Sequence, residues 1–452
     1  MQSVVSIDIG STYTKGALLI LQENKLKIAR ATIHPTTVDR LADGFAQALS
    51  DLDPPSETKI TYSSSAKGGL AITSIGIVPD LTLKMAREAA VSAGGRVTNI
   101  FSYKLSSADI RELQKTKPDV ILLTGGTDGG NEDYPLHNAR KLAESSLSCP
   151  IIYAGNRSVE DEVADILHEK TLTITENVLP SIDRPNPIPA KEAIREVFLK
   201  EIVEGKGLDE VMAKAGEPPR PTPLAMLEFV QLIAETRPDF GDFCLIDMGG
   251  ATTDFYSTNK AFVKENVLFK GLPEPHYKRS VEADLGMRVT AQSAIVSADS
   301  LIREMVEAKG LSYDEFKAFV DRISENTFYL PIDKKEMRFD SILAAACFTL
   351  AVIRHAGVQE QIFSVDGERL AQYGKDLREI NKIIGTGGYL SRFRKIFFRA
   401  NSKILDDDLR HLVPRQYTYY VDADHYFPVL ANASLVFPEA AVDAAIKGLE
   451  RT

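Results

Sequence analysis

The sequence predicts an α/β protein built from two similar halves, each opening with an antiparallel meander of strands. The halves are visible because residues 4–15 (VVSIDIGSTYTK) and 243–254 (FCLIDMGGATTD) follow one pattern. In both, an apolar run ends in Asp and is followed by Gly, small residues and Thr. Further apolar runs separated by polar turns follow each copy, which is typical of a meander. Between the copies, residues 59–178 alternate strand-like and helix-like segments, which indicates parallel strands joined by crossover helices.

The composition is typical of a globular protein with several domains: 452 residues, of which 44% are hydrophobic and 26% charged. The formal net charge of −10 argues against a nucleic-acid partner, since phosphate backbones are bound by basic surfaces. No run of about 18 apolar residues predicts a membrane span, and the chain starts in a strand without a basic signal-peptide region. Cys149, Cys244 and Cys347 are isolated, so we expect inert thiols in a cytoplasmic protein.

In the first half, apolar runs joined by the polar turn Gln22-Glu23-Asn24 predict the meander. Its strands are predicted at Val4–Ile9, Lys15–Leu21 and Lys25–Ile33. Helical spacing of apolar residues then predicts a helix over Val38–Leu52, which the following Pro-Pro pair stops.

The alternating middle region predicts an inserted α/β subdomain. Its strands are predicted at Ile60–Ser64, Ala71–Val78, Val97–Tyr103, Val120–Thr124, Ile151–Ala154 and Leu172–Thr175. Its helices are predicted at Leu81–Ala93, Ser106–Lys115, Leu136–Ser146 and Val159–His168. Four prolines between positions 180 and 189 indicate a linker, and helices over Lys191–Glu204 and Pro223–Glu235 follow it.

The second half predicts a meander, a helical region and a late Gly-rich strand. The meander strands are predicted at Phe243–Met248, Thr253–Thr258 and Ala261–Phe269. Residues 281–328 and 339–356 are read as largely helical, a strand over Ile380–Gly385 leads into a helix from about Leu390, and the last helix covers Pro438–Leu449. We therefore expect a first domain at 1–69 with parts of 179–240, the insertion at 70–178, and a second domain at 241–452.

The first copy of the pattern has the chemistry of a metal–phosphate site. Gly10 permits a tight turn, and the backbone N–H groups of Ser11 and Thr12 would face phosphate oxygens. Asp8 would hold Mg²⁺ through water, and Lys15 would add positive charge to the phosphates. Taken alone, the motif is explained equally well by a β-hairpin with a Gly turn.

The second copy supports the phosphate interpretation because it repeats the same chemistry in the other half. Asp247 would be the second metal carboxylate. The backbone and hydroxyl groups of Gly249, Gly250, Thr252 and Thr253 would form the second phosphate loop. Two strand-end turns of this kind, one in each half, predict that ATP with Mg²⁺ is held between them.

A third candidate site lies late in the second half. There an apolar strand runs into a Gly-rich turn and a helix start, and such backbone can pack against an adenine ring and ribose. The residues are Gly385, Thr386, Gly387 and Gly388. The alternative is an ordinary turn, which is what Gly clusters usually mark.

Charged residues after the second meander allow two interpretations. Glu282 and Asp284 either orient a metal-bound water or lie near a helix N-terminus for electrostatic reasons alone. Arg288 either reaches a phosphate or, as we expect, lies on a solvated helix face. The seven histidines are scattered without ligand spacing, so no metal site is predicted from them.

In this order, the three candidate sites resemble the phosphate-1, phosphate-2 and adenosine motifs of the actin/Hsp70/sugar-kinase ATPase superfamily. The resemblance covers nearly the whole chain. It implies duplicated ribonuclease-H-like domains with ATP and Mg²⁺ in the cleft, and Asp8 and Asp247 as catalytic and metal residues.

Longer blocks resemble a narrower family, the accessory or reactivating proteins of coenzyme-B12-dependent glutamate mutase and related aminomutases. The resemblance implies an ATP-hydrolysing chaperone that releases damaged cobalamin from a partner mutase or aminomutase. It leaves the client and the oligomeric state open. The blocks are DIGSTYTKGAL (8–18), SSSAKGGL (63–70), IVPDLT (77–82), LLTGGTDGGN (122–131) and VEADLGMR (281–288).

Other functions remain open from the sequence. A small-molecule kinase of the sugar-kinase type would use Asp247 as a general base. A non-hydrolysing nucleotide-dependent scaffold would bind ATP without turnover, and a dehydratase-activating ATPase would need a cysteine-bound iron–sulfur cluster. Residues 122–131 are either a tight turn or a loop that contacts the client. No D-x-H-x-x-G sequence is present, so we do not expect the chain itself to bind cobalamin.

Overall fold

The computed structural model describes residues 2–10, 12–37, 40–65, 70–203, 207–264, 267–364, 367–393 and 410–452. The chain divides into two compact units. Unit 1 consists of Met1–Val38, Asp43–Ala66 and Ala225–Thr452, and unit 2 consists of Asp39–Ala42 and Lys67–Leu224. In the described part of the chain, no helix combines the length and apolar character needed to cross a membrane.

The strands of the described residues are short and distributed along the whole chain. In chain order they are β1 Gln2–Ile9, β2 Tyr13–Gln22, β3 Lys25–Pro35, β4 Lys59–Ser64, β5 Ala71–Gly76, β6 Arg96–Ser102, β7 Val120–Leu123, β8 Ile151–Tyr153, β9 Leu172–Ile174, β10 Arg220–Pro221, β11 Cys244–Met248, β12 Thr253–Ser257, β13 Val267–Lys270, β14 Lys278–Glu282, β15 Val358–Ser364, β16 Gly367–Tyr373, β17 Lys382–Thr386, β18 Thr418–Asp422 and β19 Leu449–Arg451.

Some of the helices begin at side chains that cap them. Ser106 forms a capping box with Asp109, and the side chains of Ser312 and Asp333 accept backbone N–H groups at two further starts. In chain order the helices are α1 Leu41–Leu52, α2 Lys84–Ser92, α3 Ser107–Thr116, α4 Asp133–Ala143, α5 Glu160–Ile166, α6 Ile188–Val203, α7 Leu208–Ala215, α8 Thr222–Thr236, α9 Ala291–Ser297, α10 Asp299–Ala308, α11 Tyr313–Glu325, α12 Lys334–His355, α13 Gly388–Phe393, α14 Phe427–Ala433 and α15 Pro438–Lys447.

Unit 1 contains two sheets with the same strand arrangement. In the first sheet, neighbouring strands follow the order β4-β1-β2-β3. In the second sheet, the corresponding strands follow the order β17-β11-β12-β14, and β18 continues the sheet beside β17. The opening strand of each sheet, β1 or β11, is antiparallel to the next strand and parallel to a later one, β4 or β17. This duplicated order confirms the predicted α/β fold with two ribonuclease-H-like halves.

The two sheets of unit 1 share one apolar core. Val4 and Ala17 of the first sheet lie in the same buried cluster as Leu245 of the second. Helices α8, α14 and α15 supply further side chains of this cluster, while α9–α12 cover the opposite face of the second sheet. Burial of apolar surface at about 25 cal/mol per Å² makes such a shared core the main source of stability.

The third strand of the second meander differs from the prediction. The sequence pattern placed it at Ala261–Phe269, but the strand beside β12 is β14, Lys278–Glu282. The predicted segment contributes only β13, which pairs with β16 in a separate three-stranded sheet. Apolar runs indicate that a strand forms, but which neighbour it pairs with depends on packing of residues distant in sequence.

Unit 2 contains a parallel sheet with the order β6-β5-β7-β8-β9, which is a doubly wound arrangement. The glycine-rich loop after β7 is fixed by two asparagine side chains. Asn156 Oδ1 accepts the Gly129 N–H at 3.0 Å, and Asn177 Nδ2 donates to Asp128 Oδ1 at 2.8 Å. These hydrogen bonds hold the loop in the conformation of a structured turn.

A buried lysine in unit 1 makes stability depend on pH. Lys375 is fully buried, and its Nζ donates to Pro275 O at 3.0 Å and His276 O at 2.6 Å. Burial, followed by the charge of Lys278, lowers the pKa of Lys375 to about 7. Between that pH and its ordinary value near 10.5, the unfolded chain holds the proton and the folded chain does not. The free energy of unfolding should therefore rise with pH in this window.

We expect the rise attributable to Lys375 to be at most about 1.4 kcal/mol per pH unit, since one unit of pKa corresponds to that energy. Denaturant unfolding at pH 7, 8 and 9 would show it in the wild type and not in Lys375→Met. Lys447→Met, which changes an exposed lysine, should keep the wild-type slope. Identical slopes in the wild type and Lys375→Met would contradict the prediction.

Candidate functional site

The first candidate phosphate loop is a tight turn between β1 and β2. The Gly10 N–H donates to Tyr13 O at 3.0 Å. A Cβ at Gly10 would lie 2.6 Å from that same oxygen, so only glycine fits. The turn places Asp8, which is 4% exposed, next to the end of β1. Ser11 lies outside the described residues.

The second candidate loop repeats this turn. The Gly249 N–H donates to Thr252 O at 2.9 Å, as Gly10 does to Tyr13. In the strand register, Asp8 lies opposite Lys15 and Asp247 lies opposite Asp254. The two halves therefore present the same backbone, but the residue facing the strand-end Asp is a cation in one and a carboxylate in the other.

The segment that follows β14 supports the second loop. The Met287 N–H donates to Gly249 O at 3.1 Å, and the Arg288 N–H donates to Gly250 O at 2.9 Å. A Cβ at Gly286 would lie 2.6 Å from Gly250 O, so the close approach requires glycine. This contact gives the block VEADLGMR a structural role beside the candidate site.

The three predicted loops adjoin one another in unit 1. A Cβ at Gly250 would lie 3.3 Å from Thr12 Oγ1, which brings the two phosphate loops together. Gly387 has φ +102° and packs so closely that a Cβ would lie 2.3 Å from Met248 O. Beside it, a Cβ built on Gly388 would meet no atom within 4 Å among the described residues outside its chain neighbours and its own helix backbone. The adenosine turn therefore lies next to the end of β11.

Lys15 is the cation at the centre of this arrangement. Its Nζ lies 3.0 Å from each ring nitrogen of His425. Burial lowers the pKa of Lys15, while the charges of Asp8, Asp247 and Asp422 oppose that change. The pKa of His425 is far below its usual range because the ring is buried and faces Lys15. The site is thus a lysine among three carboxylates, with a neutral imidazole beside it.

Asp247 is a buried carboxylate whose acidity is strongly perturbed. Burial and the negative charge of Asp254 raise the pKa of Asp247 to about 7, against the opposing effect of Lys15. Near neutral pH its carboxylate can therefore accept or release a proton. Asp254 is itself paired with Arg279, whose Nε donates to Asp254 Oδ1 at 2.8 Å.

Asp422 is a site residue that the sequence reasoning did not identify. It ends β18, accepts the Thr386 hydroxyl at 2.8 Å, and accepts the N–H groups of Tyr426 and Phe427 at 2.9 and 3.0 Å. Burial raises the pKa of Asp422 despite these bonds. An apolar run ending in Asp is the same signal that located Asp8 and Asp247. Applied to residues 418–422, it would have found this third strand-end carboxylate.

The structure places Glu282 and Asp284 on Arg354. Arg354 Nη1 lies 2.8 Å from a carboxylate oxygen of each. Although burial acts to raise it, hydrogen bonds from Arg354 and Ser297 hold the pKa of Asp284 below its ordinary value. Both carboxylates thus already pair with Arg354, and their predicted role in orienting a metal-bound water stays a prediction.

The expectation for Arg288 was wrong. Its guanidinium is mostly buried rather than solvated, and it donates to the two oxygens of Asp340 at 2.9 and 3.1 Å. Sequence patterns could not show this pairing because Asp340 lies 52 positions further on. The bidentate bond holds Arg288 at the base of the second phosphate loop.

The residues present fit a magnesium–nucleotide group better than a protein-only metal cage. Within the described ranges, no three His, Cys, Asp or Glu side chains are grouped to hold a metal ion. Mg²⁺ retains water in its shell and is usually bound by one or two carboxylates together with substrate phosphates. Asp8 and Asp247 could supply the two carboxylates. Cys244 and Cys347 are buried in the core, and burial raises the pKa of both thiols, so neither suits an iron–sulfur cluster.

The duplicated sheets and adjoining Asp–Gly turns define an α/β protein with two ribonuclease-H-like halves. More specifically, the chain belongs to the MutL protein family, whose pattern it matches over residues 4–449. It is 35% identical to Protein MutL of Clostridium tetanomorphum over 456 residues, covering 98% of each chain.

Solved structures with similar folds are more distant. A nucleotide-free acetone carboxylase matches with TM-score 0.41 and 11% identity, covering 96% of this chain and 70% of its own. A nucleotide-free diol dehydratase-reactivating factor matches with TM-score 0.35 and 10% identity, covering 97% and 100%. A glycerol dehydratase reactivase matches with TM-score 0.34 and 11% identity, covering 96% and 100%. Similarity at this level carries no argument about function.

Proposed function

We propose that this chain binds and hydrolyses ATP with Mg²⁺ and acts as the reactivating accessory protein of a coenzyme-B12-dependent mutase or aminomutase. Its work would be to promote the release of damaged cobalamin from that partner. The proposed ATP site is supported by one observation: two equivalent turns bring Thr12 and Gly250 together beside Asp8 and Asp247. The partner is inferred from the resemblance of the longer sequence blocks.

Each residue of the site has a role that its position supports. Asp8 and Asp247 would hold Mg²⁺, which supplies charge neutralisation at the β- and γ-phosphates. The N–H groups of the turns after Gly10 and Gly249 would bind phosphate oxygens, since successive backbone N–H groups form anion-binding nests. Lys15, which lies among carboxylates, would contribute a positive charge, and the negative phosphates of a bound nucleotide would stabilise its protonated form. Asp247 would orient the attacking water and take its proton.

The adenosine would lie on the turn formed by Gly385, Thr386, Gly387 and Gly388. Two features support this placement. The backbone at Gly387 already packs on Met248, which fixes the turn relative to the second phosphate loop. The space around Gly388 lets a flat ring approach the backbone without meeting a side chain among the described residues.

A small-molecule kinase is the second candidate. Burial raises the pKa of Asp247 to about 7, and such a carboxylate can take a proton from an acceptor hydroxyl as readily as from water. The two candidates differ in what happens without an acceptor. A hydrolysing accessory protein releases phosphate from ATP alone, whereas a kinase retains ATP.

The domain organisation also stays a proposal. We infer that the insertion, predicted at residues 70–178, is the module that contacts the client enzyme. Its doubly wound sheet is a common binding scaffold, with loops at the carboxyl ends of the strands. The glycine-rich loop after β7 lies at such an end.

The proposed function is tested by measuring phosphate release from Mg²⁺-ATP by the full chain without any acceptor. We expect slow turnover that EDTA abolishes. In a second step, glutamate mutase loaded with an inactive cobalamin would be mixed with the chain, and free cobalamin would be measured with ATP or with ADP. ATP-dependent release supports the proposal. Turnover without release would contradict the chaperone part, and absence of nucleotide binding would contradict the whole.

A further inference from the structure

A chain of buried hydrogen bonds joins α14 to the carboxylate of Asp8. Ser63 Oγ donates to Asp8 Oδ1 at 3.1 Å. Asn432 Nδ2 donates to Ser63 Oγ at 2.8 Å and to Ile7 O at 3.1 Å. Ser63 and Asn432 are fully buried. Ser63 opens the block SSSAKGGL, to which the candidate nucleotide site assigns no role.

The direction of these bonds follows from which groups can donate. Ile7 O can only accept, so the atom of Asn432 that faces it must be the amide nitrogen. That nitrogen also faces Ser63 Oγ, which therefore accepts, and the serine hydrogen is directed to Asp8. A carboxylate oxygen accepts this bond, so the series of hydrogen bonds fixes the position of Asp8 Oδ1. Hydrogen bonds in series also strengthen one another.

A polar residue at position 432 needs this explanation. All seven residues of α14 are buried, and a buried amide without partners costs roughly 1–3 kcal/mol. An apolar side chain would fill the same place without that cost. The bonds to Ile7 and Ser63 account for Asn432, and both lead to the strand end that presents Asp8.

The other end of α14 is attached to the adenosine turn. Asp422 accepts the N–H groups of Tyr426 and Phe427 at the start of the helix and also the hydroxyl of Thr386. The helix therefore runs from a contact of the predicted adenosine turn to a contact of Asp8. It is a short, buried element connected to both parts of the candidate site.

We propose that Ser63 and Asn432 are positioning residues that hold the Asp8 carboxylate in the orientation needed for Mg²⁺-ATP turnover. The inference rests on the proposed function, because it assigns these residues to the same nucleotide site. Groups that orient a metal-binding carboxylate typically contribute about 10–100-fold to metal affinity or activity. Loss of the hydrogen bonds from Asn432 through Ser63 to Asp8 should therefore raise the Mg²⁺ concentration that turnover needs and lower kcat, with little effect on the KM for ATP.

The test compares Ser63→Ala with a matched control, Ser6→Ala. Ser6 is equally buried and also joins β1 to α14, since its Oγ donates to Val429 O at 2.5 Å, but this bond leads to the helix backbone and not to the Asp8 carboxylate. Removing either hydroxyl should cost similar stability. We expect Ser63→Ala to lower kcat about 10–100-fold and to raise the Mg²⁺ concentration for half-maximal rate, while Ser6→Ala turns over like the wild type.

Two further variants separate positioning from folding. Ser63→Thr keeps the hydroxyl and should restore most of the rate. The double variant Ser63→Ala/Asn432→Ala should lower kcat no further than Ser63→Ala alone, because the second residue acts through the first. If Ser63→Ala and Ser6→Ala have equal kcat and equal magnesium dependence, the positioning role of Ser63 and Asn432 is overturned. If the wild type neither binds nor hydrolyses Mg²⁺-ATP, the proposed function fails and this inference fails with it.

Discussion

Asp247→Asn is expected to lower ATP turnover by about 10²–10⁴-fold while the protein stays folded. An amide cannot take a proton from water and is a weaker magnesium ligand than a carboxylate, and general-base groups contribute about this factor. Phosphate release at saturating Mg²⁺-ATP would measure the loss. Asp8→Asn should also abolish most turnover, because the two carboxylates occupy equivalent ends of β1 and β11.

Asp247→Asn should not reduce the stability of the protein. Burial and Asp254 raise the pKa of Asp247 to about 7 from an ordinary value near 3.8. The folded state therefore binds this proton more tightly than the unfolded state, and the ionised carboxylate lowers stability as pH rises from about 4 to 7. At pH 8, Asp247→Asn removes that cost, so its Tm should equal or exceed that of the wild type.

The matched control for this prediction is Asp443→Asn. Asp443 is half-exposed on α15 and pairs with Arg237 at the surface. Surface pairs contribute about 0–1 kcal/mol, so turnover and Tm should both stay close to the wild type. Turnover by Asp247→Asn at the level of Asp443→Asn would show that Asp247 has no catalytic role.

Arg279→Met is expected to lower the free energy of unfolding by about 3–5 kcal/mol. Arg279 and Asp254 form an ion pair with side chains only 2% and 9% exposed, so the substitution leaves a buried carboxylate without its counter-ion. Because Asp254 lies opposite Asp247, the uncompensated charge would also lie beside the candidate metal site. Denaturant unfolding at pH 8 would measure the loss.

Two variants show whether the loss comes from the buried charge. Arg303→Met breaks an exposed pair with Asp299 and should cost less than about 1 kcal/mol. Arg279→Met/Asp254→Leu removes both charges and should recover much of the stability, since apolar replacements of buried pairs are often neutral. An equal loss in Arg279→Met and Arg303→Met would contradict the assignment of a buried pair.

Much of the fold was predictable because its signals are local. The apolar run, strand-end Asp and Gly turn at positions 8 and 247 identified the two equivalent turns, and both form with the same backbone hydrogen bond. Alternation of strand-like and helix-like segments likewise identified the parallel sheet of unit 2. These features depend on side-chain periodicity and on glycine, which short stretches of sequence carry by themselves.

Two errors concern partners distant along the chain. The strand beside β12 was misplaced, because pairing depends on which segment packs there. Arg288 was expected in solvent, but Asp340 binds it. Both positions are decided by a contact across more than 20 residues. Asp422 is a different case, because its strand ends in the same local pattern as β1 and β11 and the sequence could have located it.

The sequence by itself determined the α/β class and the two repeated Asp–Gly turns, because these follow from local pattern and backbone chemistry. The assignment of residues in those turns to phosphate and metal stays a prediction. Only the tertiary structure decided that Lys15 lies among three carboxylates and that Asp247 has a pKa near 7. It also decided that Asn432 reaches Asp8 through Ser63. Burial and electrostatic coupling are properties of groups brought together by folding, and no single stretch of sequence contains them.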